Sequence, residues 1–112
     1  MKCLHIITPV KDSIDSTLET VKAIMESDIL VPFTYTVYND FSTEENPHRL
    51  EEAARQWNFR LVNLSDLTDH PSPNYLLVLQ TAQKEAIEAD AGLLIVESDV
   101  IVKKNTLQSL YN

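Results

Sequence analysis

Apolar positions along this 112-residue chain follow two rhythms. Short, nearly unbroken runs rich in aliphatic, aromatic and β-branched residues at 3–8, 33–38, 59–64 and 93–96 read as strands, the first and last of the kind covered on both faces. Between them the apolar residues fall three or four apart: Ile14, Leu18, Val21 and Met25, then Leu50, Ala54 and Trp57, then Tyr75, Leu79, Ala82 and Ala86. That spacing predicts three amphipathic helices. Punctuation residues set the expected boundaries. Pro9 should end the first strand, because proline lacks the donor a central ladder needs. Ser13 is placed to cap the first helix and Pro47 suits the first turn of the second. Residues 65–73 read as a loop whose two prolines, Pro71 and Pro73, forbid regular structure, and Gly92 stands where a left-handed helix cap is wanted. Asn105 is placed to cap a last helix carrying Leu107 and Leu110.

Strands that alternate with helices at these distances imply β-α-β crossovers, hence a parallel sheet with right-handed connections and helices on both faces. Residues 1–112 are expected to form a single domain. The loops that succeed the strands, 8–12, 39–45, 63–70 and 97–99, then open on one rim, where open α/β sheets bind their ligands. All four loops contain a carboxylate, and three of them carry one near their start.

The last loop carries the most pointed chemistry. Glu97 and Asp99 interrupt a buried run at spacing i, i+2, which in an extended chain puts both carboxylates on one side with Cα atoms about 6.5–7 Å apart. Such a pair can share a divalent cation, or a cation with its phosphate. The plainer alternative is that acidic residues end the strand and that Ser98 or Asp99 caps the next element.

Composition narrows the classes further. A net charge of −8 argues against nucleic acid or an anionic membrane as the main partner. The single cysteine, Cys3, allows no internal disulfide, and the single glycine excludes the glycine-rich phosphate loops of dinucleotide and Walker-type sites. Any phosphate must therefore be handled by metal or side chains. The brief apolar run near the start is neither a signal-peptide core nor a membrane span, so a soluble, cytoplasmic domain is expected. His5 reads as a hydrogen-bonded core residue, His48 and His70 as solvated, and Asp66 and Asp69 as turn residues.

Three segments together resemble a known family. Pro9-Val10-Lys11-Asp12 is similar to its Pro-Val-Tyr-Asn loop, Tyr38 to Glu44 to its Val-Asp-Asp-Gly-Ser-Thr-Asp turn, and Glu97-Ser98-Asp99 to its Asp-x-Asp motif. In order and spacing they resemble the nucleotide-binding half of the inverting family 2 glycosyltransferases. Glu97 replaces the first aspartate of that motif, Phe41 stands where the family has glycine, and Asn39 where it often has aspartate.

The resemblance implies a GT-A fold, Rossmann-like, with strand order 3-2-1-4. It implies a nucleotide-sugar donor, a UDP-sugar first among them, with Thr8, Pro9 and Val10 lining the base pocket and Asp40 accepting from the nucleobase. Asp12, Ser42, Lys84, Glu97 and Ser98 complete the nucleotide set, and Asp99 with Glu97 would hold Mn2+ or Mg2+. The acceptor is unknown and the catalytic base is expected outside this chain, which would be a truncated, donor-binding half without transfer activity of its own. Leu107, Leu110 and Tyr111, at helical spacing with no later element to cover them, suggest self-association, and the full-length protein would be peripheral to the membrane. The alternative is a non-catalytic nucleotide-binding or interaction module with a degenerate site.

Overall fold

The computed structural model describes residues 3–27 and 30–97. Four strands, β1 (Cys3–Val10), β2 (Phe33–Asn39), β3 (Arg60–Asn63) and β4 (Ala91–Ile95), alternate with three helices, α1 (Ile14–Met25), α2 (Asn46–Trp57) and α3 (Tyr75–Glu88). All strand pairs are parallel and the order is β3-β2-β1-β4, as expected. Ile6 lies beside Tyr35 on one flank and Leu94 on the other, so β1 is the centre of the sheet.

Because side chains alternate along a strand, the sheet serves two cores. Leu4, Ile6 and Val10 of β1 and Tyr35 and Val37 of β2 pack with Val21 and Ile24 of α1 and Leu50 and Ala53 of α2. On the other face Ile7, Tyr38 and Leu64 meet Val78 and Ala82 of α3. The fold is thus a three-layer α/β/α domain with α1 and α2 on one side and α3 on the other.

Three local expectations need correction. β1 runs through Pro9 to Val10. Leu4 and Val10 bond towards β2 and Ile7 towards β4, so the absent donor of Pro9 faces the β4 side, where the ladder has already ended at Ile7 and Ile95. Gly92 lies inside β4, and the left-handed residue after α3 is Asp90, with φ 52°. Aspartate tolerates that region better than most side chains, so glycine is not required. Finally, α3 buries Val78, Ala82 and Ala86, while Tyr75 is 44% exposed. The buried Asn74 just before the helix begins this line, and residues at steps of four continue inward from it. The expected helix at Asn105, Leu107 and Leu110 lies outside the described residues. No helix among the described residues is long and apolar enough to cross a membrane.

Candidate functional site

The carboxyl ends of β1, β2 and β3 feed three loops that are bound to one another through two aspartates. Asp12 comes just after β1 in the left-handed region, φ 64°. Its Oδ1 accepts from the backbone N–H and hydroxyl of Thr43 and from the Asn46 amide, the last two at 3.1 Å. Its own N–H donates to Ser42 Oγ at 2.9 Å. The Thr43 N–H above all, then the Asn46 amide and the Lys11 ammonium, hold its carboxyl down at about 2. Lys11 also donates to the Phe41 carbonyl. The β1–α1 and β2–α2 loops are therefore one stitched unit.

That unit keeps the backbone its sequence seemed to resist. Phe41 and Glu44 both have positive φ, 61° and 59°, a conformation a side chain ordinarily disfavours. The Phe41 ring packs against the Ile7 and Tyr38 cluster. Asn39 turns the chain as well: its Oδ1 accepts from Ser42 N–H at 3.0 Å and its amide donates to Asn63 Oδ1 at 2.8 Å.

Asp40 makes the second connection. It is buried at the end of β2 and accepts from Ser72 Oγ and from the backbone N–H and side-chain amide of Asn74. The β3–α3 segment is thereby drawn to the same rim. The carboxylate expected to face a nucleobase thus already holds three protein donors.

The remaining predicted residues divide between core, rim and helix surface. Thr8 is fully buried and its hydroxyl accepts from Tyr35 at 2.8 Å, Pro9 is half-buried and Val10 belongs to the core. Ser42 is on the rim, half-buried. Glu97 is exposed one residue after Val96, whose N–H donates to the Ile7 carbonyl at the end of the β1–β4 ladder. Ser98 and Asp99 lie outside the described residues. Lys84 is not brought to the rim, since it sits ten residues along α3 from Asn74, about 15 Å at the helical rise. Its neighbour Glu85 bonds Tyr38 and Arg60 instead.

As an exposed oxygen donor beside the sheet's carboxyl edge, Glu97 suits the hard cations Mg2+ and Mn2+. Among the described residues no three acidic, histidine or cysteine side chains converge on one point. The linking roles of Thr43, Asn46, Ser72 and Asn74 escaped the sequence reading. The one available signal was the asparagine at the start of α2 and just before α3, which reads as a cap, although Asn74 turns its amide to Asp40 instead of capping α3.

No family model and no curated protein matches the chain. Solved structures do match its fold. TarS of S. aureus, residues 1–349 in complex with UDP, aligns over 99% of this chain and 31% of its own, with 22% identity and a TM-score of 0.65. The mannosyltransferase PcManGT from Pyrobaculum calidifontis, in complex with GDP-Man and Mn2+, aligns over 88% of this chain and 27% of its own, with 19% identity and a TM-score of 0.60. Glucosyl-3-phosphoglycerate synthase from Mycobacterium tuberculosis, with Mn2+, UDP and glucosyl-3-phosphoglycerate, aligns over 98% and 38%, with 16% identity and a TM-score of 0.58. The chain therefore has the GT-A type fold of these glycosyltransferases. It spans less than two-fifths of the length of each.

Proposed function

We propose that this chain is the donor-binding part of an inverting, family 2-like glycosyltransferase that takes a nucleoside diphosphate sugar, first a UDP-sugar, together with Mn2+ or Mg2+. One observation carries the reading: the parallel 3-2-1-4 sheet gathers its loops on one rim, and the likeness to TarS, solved with UDP, extends over 99% of the chain.

In this reading the half-buried Pro9 and the Asp12–Ser42 unit form the floor of the nucleotide pocket, with the buried Thr8 and Val10 supporting it from behind. Glu97 would face the ribose, Ser98 would belong to the nucleotide set, and Asp99 with Glu97 would hold the cation. A bound cation supplies positive charge where the departing diphosphate gathers negative charge. The acceptor hydroxyl bonds to the anomeric carbon as the bond from that carbon to the diphosphate oxygen breaks. Its proton goes to a base outside this chain.

Calorimetry of UDP binding with and without Mn2+ tests the reading. UDP should bind with Mn2+ present, and Asp99→Asn should abolish the metal-dependent part. Metal-dependent binding left intact in that variant would remove Asp99 from the site. Absence of any binding would favour the non-catalytic module, which the replacement of the motif's first aspartate by Glu97 otherwise supports.

A further inference from the structure

At the end of β2 the chain buries a carboxylate and surrounds it with donors. Asp40 is 7% exposed and its N–H donates to the Val10 carbonyl at 2.8 Å, which ties it to β1. Its Oδ2 accepts from Asn74 N–H at 2.8 Å and from Ser72 Oγ at 3.0 Å. Its Oδ1 accepts from the Asn74 amide at 2.9 Å. That same amide also donates to the His70 carbonyl at 2.9 Å. A buried carboxylate is costly unless it is hydrogen-bonded, and bonds to a charged acceptor are the strong ones. Here they converge on a segment without regular structure, residues 70–74, in which His70 and Pro71 lie exposed.

A carboxylate offers roughly four acceptor sites. Three are engaged by Ser72 and Asn74, which leaves one on Oδ1. Resting on the reading that this rim takes a nucleoside diphosphate, we propose that Asp40 is a positioning residue of the base pocket. It fastens residues 70–74 as a wall beside the ends of β1 and β2, and it acts through Ser72 and Asn74 instead of accepting from the base. The pocket's shape on this side is set by a segment about 30 residues away in sequence that carries no motif.

The test measures UDP affinity in the presence of Mn2+ for the unaltered protein, Asp40→Asn, Asn74→Ala and the double variant, and repeats it with N3-methyl-UDP, which lacks the ring N–H a carboxylate would accept. Each single change should weaken UDP by about tenfold, the scale of one charge-assisted hydrogen bond, and the double should be no worse than the weaker single. The ratio of UDP to N3-methyl-UDP affinity should be the same in Asp40→Asn as in the unaltered protein. Losses that multiply in the double variant, or a preference for UDP that vanishes in Asp40→Asn, would overturn the proposal and leave the donor site standing. An unaltered protein that binds no nucleoside diphosphate would overturn the donor reading itself. Should Asp40→Asn fail to fold, Ser72→Ala keeps two of the three bonds and should weaken UDP several-fold, and unchanged UDP affinity there would also overturn the proposal.

Discussion

The two ends of the sheet use their polar residues differently. At the carboxyl end, Asp12 and Asp40 join loops that lie more than 25 residues apart in sequence, and three of the five positive-φ residues among the described residues, Asp12, Phe41 and Glu44, stand there. At the amino end, a cavity of about 460 Å³ is lined by Cys3, His5, Thr34, Arg60, Glu85 and Ala91, among others. Its polar groups face inward along the sheet: Glu85 accepts from Tyr38 at 3.0 Å and Arg60 at 2.7 Å, and His5 Nδ1 meets Thr34 Oγ1 at 2.7 Å. The buried His5 Nε2 has no hydrogen-bond partner among the described residues. One end is a scaffold of loops held in costly conformations, and the other is a packing boundary with a polar lining. Strain concentrated at one rim marks that rim for function, whereas a cavity alone does not.

The largest expected effect tests whether both ends rest on one core. Leu50 of α2 is fully buried in the core it shares with β1, β2 and α1, and Leu50→Ala should cost about 2–5 kcal/mol. Amide probes at the rim and at the amino end should lose protection in one shared transition, and two separate transitions would divide the molecule where the packing shows it joined. A smaller change acts through Glu85, which lines the amino-end cavity. Tyr38→Phe removes the hydroxyl that donates to Glu85 and should cost about 0.5–1.5 kcal/mol in denaturant unfolding. Rim amide shifts should stay put, and movement at Thr43 or Asn74 would show coupling that the comparison denies.

Acid separates the ends most finely. Burial lowers the His5 imidazole below its ordinary 6.5, so the unfolded chain binds that proton more readily. The His5 contribution is complete above pH 6.5 and declines as pH falls below it. Asp12 is also depressed, from 3.8 to about 2. Its contribution is complete above pH 3.8 and is lost as pH falls through about 2. Stability measured against pH should therefore erode first through the amino end and only later through the rim. His5→Leu should flatten the first slope and Asp12→Asn the second. A wild-type slope near pH 6 that survives His5→Leu would assign it to another group.

The parallel sheet and its carboxyl rim were legible because they arise from periodicity and from the handedness of crossovers, which need only local pattern, whereas the strand order came with the family resemblance. Pro9 and Gly92 misled because each was read by residue type, whereas the β1–β4 ladder ends before Pro9 and the left-handed residue after α3 is Asp90. The buried stripe of α3 was read from its apolar residues, yet a polar residue, Asn74, begins the buried line that Val78, Ala82 and Ala86 continue. The partners of Asp12 and Asp40 were beyond reach for a simple reason. A hydrogen bond between residues 34 apart in sequence leaves no periodic trace, and either aspartate alone looks like a turn residue or a ligand.

The central claim is that the stitched rim, and not the amino-end cavity, receives a nucleoside diphosphate. Backbone amide mapping during titration with UDP and Mn2+ tests it most directly. Shifts are expected at Val10–Ser13, Asn39–Thr43, Ser72, Asn74 and Glu97, with Cys3, His5, Thr34 and Arg60 unmoved. Shifts confined to Cys3, His5, Thr34 and Arg60, or none anywhere at saturating UDP, would contradict it.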